Sequence, residues 1–181
     1  MKIGLGGIMF SEELVHVSHH ALQHSDRSFV DILQRIAEKR ISLPFVCAGA
    51  IGNEIHSTFC IAASDFPSFV RIFDTSLDCE GTCSQSSVGL PFGKQLQVIH
   101  GVGTLTLFPH RRSLAILGLV VEILGKSGVV IHSLCTSISA VAINVDYRLL
   151  DLAVEALEKS FKLPDNHAPF RPEFSVRQIS P

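Results

Sequence analysis

Charged residues are scarce in this chain of 181 residues: Asp, Glu, Lys and Arg make up 18% of it, whereas hydrophobic residues make up 46%. The 15 Lys and Arg residues against 17 Asp and Glu residues give a formal net charge of −2. This balance excludes the basic surface that nucleic-acid-binding domains carry. The composition predicts a sizeable buried core, and we expect a partner chain to cover some of the remaining apolar surface.

Long hydrophobic runs are also missing. The longest apolar stretches, such as residues 114–124, are far shorter than the roughly 20 residues that a bilayer span needs. The N-terminus has one early Lys and no sustained apolar core before a small-residue cleavage site, so we expect no signal peptide. The expectation is a cytoplasmic protein that does not bind a membrane.

Catalytic motifs are absent from the sequence. No glycine-rich phosphate loop followed by Lys and Ser or Thr occurs, and there is no nucleophile elbow. The GLGG at residues 4–7 is short and predicts only the start of a strand. We therefore expect no enzyme activity, no catalytic residue and no cofactor.

The chain has five cysteines, which is an odd number. Cys47, Cys60 and Cys135 lie in apolar, strand-like runs, which is typical of buried thiols rather than disulfides. Cys79 and Cys83 are spaced CxxxC in a Gly- and Ser-rich stretch, but further ligands at metal-binding spacing are lacking.

Four of the nine histidines crowd one predicted strand and the loop after it. In a strand, His16 and His20 share a face and His19 lies on the other. No Cys or carboxylate nearby completes a set of metal ligands with these three histidines or with His24. We predict solvated or interface histidines and no metal site.

A helical pattern occurs twice, 88 residues apart (Phe29 to Leu117). Apolar residues at i, i+3, i+4 and i+7 share one helix face. They are Phe29, Ile32, Leu33 and Ile36 in the first copy and Leu117, Val120, Val121 and Leu124 in the second. The same offset relates Ile41 to Val129 and Cys47 to Cys135, so each copy predicts a helix that leads into a strand.

Further elements complete both copies. Second strands are predicted at residues 57–63 and 139–145, and second helices begin near Asp65 and Leu149. Apolar runs at residues 14–22 and 102–108 precede the first helices, and residues 94–100 supply a fourth strand for the first copy. The order βαββαβ predicts an α+β fold of two ferredoxin-like units, each a four-stranded antiparallel sheet with both helices on one face.

Two segments fall outside the repeat. Residues 74–94 are polar and rich in Gly and Ser, which predicts a long excursion between helix and strand. Residues 164–181 hold four prolines and predict an extended C-terminal arm, for which docking on the body, docking on a partner and a frayed terminus are alternatives.

The second copy has a Ser-led strand, an acidic turn at Asp146 and the helix pattern Ala153, Val154, Ala156, Leu157 and Phe161. In these features it resembles the C-terminal end of the regulatory region of aspartate kinases. The resemblance extends over roughly residues 12–163, more weakly in the first copy. It implies a tandem of ACT domains, the regulatory part of such enzymes, without their kinase domain.

The resemblance also implies a division of the chain. In aspartate kinases a strand from before the first ACT unit completes the second, and residues 2–10 are apolar and suited to that role. We therefore predict a first ACT-like unit at residues 11–100, a second made of residues 1–10 plus 101–163, and the arm at 164–181.

The family's effector loop, between first strand and first helix, reads Asp-x-Pro-Gly. Its positions fall on His24, Ser25, Asp26 and Arg27 in the first copy and on residues 112–115 in the second, and neither keeps Pro-Gly. The family's Asn after the helix is replaced by Ser42 and, in the second copy, by Val130. The resemblance thus implies an altered amino-acid pocket in the first copy and a lost one in the second.

The candidate ligand-binding residues are Ser25, Asp26, Arg27 and Ser42. A helix N-terminus supplies N–H groups and a positive dipole for a carboxylate, and a nearby acid accepts an ammonium. The alternative is that Ser25 or Asp26 simply caps the helix.

These observations lead to a non-catalytic regulatory protein that binds a small effector, an amino acid by resemblance. We expect it to form a homodimer and to regulate a partner enzyme. A ligand-free scaffold module and a separate regulatory subunit of an aspartate kinase are the alternatives.

Overall fold

The structure, a computed structural model, describes residues 3–22, 28–73, 96–108 and 114–164. Its elements in chain order are β1 (Ile3–Gly4), β2 (Gly7–Phe10), β3 (Leu14–Leu22), α1 (Ser28–Glu38), β4 (Phe45–Ile51), β5 (Glu54–Ala62), α2 (Phe66–Phe73), β6 (Leu96–Phe108), α3 (Leu114–Lys126), β7 (Ile131–Thr136), β8 (Val141–Asp146), a 3₁₀ turn (Tyr147–Leu149), α4 (Leu150–Ser160) and β9 (Phe161–Lys162). The predicted excursion at 74–94 and nearly all of the C-terminal arm lie outside the described residues.

Contacts divide the chain into two units, with boundaries after Leu14 and after His100. We call residues 15–100 the inserted unit, and residues 3–14 with 101–164 the split unit. Strand β6 passes through the second boundary. The sequence predicted two strands at residues 94–100 and 102–108, but Gly101, at a φ of 69°, lets the chain turn there without ending the strand.

The inserted unit has the strand order β4-β5-β3-β6. Strands β4 and β5 form a hairpin paired from Phe45↔Cys60 to Ile51↔Glu54, and Gly52 supplies the positive φ of 61° that its two-residue turn requires. Alternate strand residues pack against the apolar faces of α1 and α2. The core residues are Val15, Val17, Ile32, Ile36, Ile41, Phe59, Ile61, Phe69 and Ile72.

The split unit has the order β2-β6-β8-β7. Strand β2 pairs antiparallel with the end of β6, from Gly7↔Phe108 to Phe10↔Leu105, and β6 pairs antiparallel with β8 on its other side. The predicted apolar side of α4 is buried: Leu150, Ala153, Val154 and Leu157 are each at most 6% exposed. Phe161, which was predicted to lie on the same helix, is also buried but begins strand β9, because the helix ends at Ser160. The α+β class of two ferredoxin-like units, predicted from the sequence, is confirmed.

One helix face was predicted wrongly. Val121 was expected to face the core with Val120 and Leu124, yet it is 44% exposed, while Ile116 is 1% exposed. Helix α3 is apolar on nearly all sides, so the spacing of its apolar residues could not identify the buried face.

The repeat extends into the ends of α1 and α3. Ile41 N–H donates to the Ile36 carbonyl at 3.1 Å, and Val129 N–H donates to the Leu124 carbonyl at 2.9 Å. The residue just before each donor adopts a left-handed conformation: Arg40 has a φ of 55° and Gly128 a φ of 73°. Both helices thus end in a Schellman motif, 88 residues apart.

Candidate functional site

Ser42 lies just past the end of α1 and is exposed. Ile41, the residue before Ser42, is held against the last turn of α1 by the hydrogen bond from its N–H to the Ile36 carbonyl. Ser25, Asp26 and Arg27 lie outside the described residues, and they precede α1 at its other end. An 11-residue helix is about 16 Å long. Within one chain, α1 therefore separates Ser42 from the helix start.

The strand directions show which end of the sheet is which. Ser18 contacts Thr58 at 3.4 Å between hydroxyl oxygens, and the rings of His20 and His56 are 4.5 Å apart. Residue numbers in β5 fall as those of their partners in β3 rise, so β3 and β5 are antiparallel. Because β4 is also antiparallel to β5, β3 and β4 are parallel. The ends of β3 and β4 consequently lie at the same end of the sheet as the start of α1.

Strand β4 is the terminal strand of the inserted unit's sheet. Its sequence, FVCAGAI, has no charged residue, and it pairs with β5 without a bulge. Ala48, Gly49 and Ala50 are exposed, Val46 is 45% exposed and Ile51 is 70% exposed. Sheet edges are normally protected by charges, Pro or bulges, and β4 has none of these along its length.

The prediction of solvated or interface histidines is wrong for two residues of β3: His16 is 3% exposed and His19 is fully buried. Both faces of β3 are covered at these positions, which the alternating pattern could not reveal. His20 meets His56, whose Nε2 lies 3.3 Å from a carboxylate oxygen of Glu54. Across the described residues, no group of three or more His, Cys, Asp or Glu side chains is arranged to hold a metal.

A largely buried polar row, which no sequence motif predicted, crosses three strands of the split unit. Thr104 Oγ1 donates to Asn144 Oδ1 at 2.5 Å, and Asn144 Nδ2 donates to Ser133 Oγ at 2.7 Å. Asn144 is fully buried and Thr104 is 6% exposed. Strand alternation places these residues opposite the helices, but nothing in the pattern indicates that this side is buried. Nearby, His132 Nε2 lies 2.8 Å from Asp146 Oδ1.

Of the three cysteines predicted as strand thiols, Cys60 is fully buried, and Cys47 and Cys135 are half-buried. Burial raises the pKa of the Cys60 thiol to about 12, because the apolar interior disfavours the thiolate. Cys60 is therefore an unreactive core residue.

No helix among the described residues is long and apolar enough to cross a bilayer. Two ferredoxin-like units, one inserted in the chain of the other, define the class: a tandem ACT-like fold of the kind found in aspartate kinase regulatory regions.

Comparison with solved structures supports this class. The regulatory subunit of aspartate kinase from Thermus thermophilus, in its ligand-free form, matches with a TM-score of 0.69 at 10% identity, over 88% of this chain and 99% of that one. A structure of aspartokinase alpha and beta subunits matches with a TM-score of 0.67 at 16% identity, over 87% and 98%.

Aspartate kinase from Synechocystis matches with a TM-score of 0.64 at 16% identity, over 91% of this chain but 28% of that one. At these identities the likeness concerns the fold. No family model matches the chain, and no curated protein matches it.

Proposed function

We propose that this chain is a non-catalytic, cytoplasmic regulatory protein that binds an amino acid and thereby controls a partner enzyme. The observation that carries the proposal is the shared fold, which extends over 98–99% of two chains described as aspartokinase subunits or as a regulatory subunit. A likeness to regulatory rather than kinase domains favours a role without catalysis.

The proposal includes two ACT-like units at residues 11–100 and at 1–10 plus 101–163, with an arm at 164–181. It is supported by the pairing of Gly7–Phe10 with Leu105–Phe108, since this strand fills the fourth position in the split unit's sheet. Leu5, Ile8 and Phe10 belong to that unit's core.

A homodimer formed through β4 is part of the proposal. Antiparallel pairing of β4 with its copy, centred on Ala48, would satisfy the backbone groups of the edge and cover Val46 and Ile51. The small side chains of residues 48–50 and the absence of charge favour such self-association.

The dimer also accounts for the distance between the candidate ligand residues. In antiparallel pairing, the start of one β4 lies beside the end of the other, which is the end where α1 begins. The effector would then lie between Ser25, Asp26 and Arg27 of one protomer and the partner's Ser42, with the helix start facing the carboxylate and Asp26 facing the ammonium.

Thermal denaturation with each of the twenty amino acids at millimolar concentration tests the proposal. An effector raises Tm in proportion to ln(1 + [L]/Kd). We expect one or a few amino acids to raise it, and we expect Ser42→Ala to reduce the shift. Ser139→Ala, an exposed serine in the split unit, is the control and should leave the shift unchanged. Absence of any shift with all twenty would contradict amino-acid binding and favour a ligand-free scaffold.

A second candidate is a separate regulatory subunit of an aspartate kinase, which the near-complete match to the regulatory subunit favours. Affinity purification of the chain from its native cells distinguishes the two. A stoichiometric aspartate kinase is expected for the subunit, and a homodimer that associates with a different enzyme is expected for the first candidate.

A further inference from the structure

A groove between α1 and α2 of the inserted unit carries an unusual number of charges. Its volume is about 590 Å³, and small-molecule sites typically have about 300–1,000 Å³. Ile72, which is 4% exposed, contributes apolar surface. The charged side chains that line it are Asp31, Arg35, Glu38, Lys39 and Arg71.

Helix spacing explains why these groups converge. Asp31, Arg35 and Glu38 follow one another at intervals of four and three residues, so they share one face of α1. The last turn of α2 supplies Arg71 and Ile72. Arg35 Nη1 donates to the Ile72 carbonyl at 3.2 Å, which holds the guanidinium across the groove. A guanidinium has five N–H donors, so most of them are left for a ligand.

The charges of the groove are not neutralised by one another. Asp31 and Arg35 are four residues apart on a helix, yet the ion pairs of the described residues include none of the five groove groups. Equivalent spacing does produce pairs on α3 and α4, where Lys126 meets Glu122 at 2.5 Å and Lys159 meets Glu155 at 2.7 Å.

Stabilisation of helix ends explains only part of this arrangement. Cations near a helix C-terminus are favoured by its dipole, which accounts for Arg35 and Arg71 in the last turns. The same dipole disfavours Glu38, the last residue of α1, and no ion pair with a described residue offsets it. The Glu38 carboxylate therefore destabilises the end of α1, but it would attract a cationic group of a ligand in the groove.

We propose that this groove is a binding site for an amino acid with a second acidic group. Three cationic side chains and two carboxylates complement a small molecule with two carboxylates and one ammonium. Arg35, Lys39 and Arg71 bind the acidic groups, and Asp31 and Glu38 accept the ammonium. The inference rests on the proposed amino-acid-binding function, and it adds to the effector site at the start of α1 a second site with its own ligand class.

Isothermal titration calorimetry of the full chain tests the site with four probes. L-aspartate and L-glutamate have all three charged groups, succinate lacks the ammonium, and L-alanine lacks the second acid. We expect one of the two acidic amino acids to bind at least tenfold more tightly than succinate and alanine. Arg71→Gln should weaken that binding at least tenfold. Lys126→Gln, an exposed cation in the last turn of α3, should leave it unchanged.

Amide chemical shifts in ¹⁵N-labelled protein locate the site, and we expect the largest changes at residues 34–39 and 70–72. Binding of an acidic amino acid that Arg71→Gln leaves intact and Ser42→Ala abolishes would overturn this inference while leaving the proposed function standing. No binding of any of the twenty amino acids would overturn the proposed function, and the inference with it.

Discussion

At the scale of single residues, the ends of α1 and α3 share a Schellman motif but have different residues in the left-handed position. Gly128 adopts a φ of 73° without steric cost, whereas Arg40 adopts 55° with a Cβ. A left-handed conformation costs an L-residue about 1–2 kcal/mol. The inserted unit therefore stores strain at a position where the split unit has none.

Arg40→Gly should raise the free energy of unfolding by about 1 kcal/mol, because it removes the Cβ while the exposed Arg40 side chain contributes little packing. Urea denaturation measures the change. Arg40→Ala keeps the Cβ and serves as the control, with little change expected. Gly128→Ala should lower stability by about 1 kcal/mol, and a stabilising effect of that variant would contradict the argument.

The buried Cys60 thiol predicts a loss of stability at alkaline pH. Its pKa rises from 9.0 to about 12 on folding, so the unfolded chain releases this proton at a lower pH than the folded one. The free energy of unfolding should fall as pH rises from 9 towards 12. Urea denaturation at several pH values should show a shallower fall for Cys60→Ala than for the wild type. Parallel profiles would show that Cys60 does not contribute.

At the scale of elements, the buried side of a helix could be predicted from the sequence where its other side is polar. The apolar side of α4 was predicted correctly because charged residues occupy its other side. The buried side of α3 was not, because Val121 and Ile116 are equally apolar and only packing selects between them. Likewise, Asn144 and His16 lie on the strand faces that alternation predicts, but their burial depends on what covers those faces.

The polar row across β6, β8 and β7 should matter for stability. Asn144→Ala removes the partner of both the Thr104 and Ser133 hydroxyls, and we expect a loss of about 2–3 kcal/mol, the cost of leaving buried polar groups without hydrogen bonds. Chemical denaturation measures it. Thr106→Ala, on the same face of β6 but half-buried, should cost less than about 1 kcal/mol. Equal losses in both variants would show that the row has no special role.

At the scale of the whole molecule, the uncharged edge of β4 predicts a dimer. Ala48→Lys places two like charges opposite each other at the centre of an isologous pairing. We expect the dimer dissociation constant to rise roughly 100-fold, equivalent to about 3 kcal/mol. Light scattering should then report the 19.7 kDa monomer at concentrations where the wild type is dimeric. Ala115→Lys, at an exposed position of α3, should remain dimeric.

Removal of residues 1–10 should destabilise the split unit more than the inserted one. It deletes Leu5, Ile8 and Phe10 from the split unit's core and leaves the other core complete. Hydrogen exchange should show the larger loss of protection in β8 and α4. A larger loss in β4 and β5 would contradict the prediction.

The sequence by itself determined the order of elements and the fold class, because both follow from local spacing: apolar residues at helical intervals, alternation in strands and glycines where the chain turns. The repeat at an offset of 88 residues shows the same helical spacing twice, and it includes the motif that ends each helix. Only the tertiary structure decided which face of α3 is buried, that residues 96–108 form one strand, that His16 and Asn144 lie in the interior, and that five charges line a groove between α1 and α2. These features depend on which surfaces meet, and contacts between residues distant in the chain leave no periodic signal in the sequence.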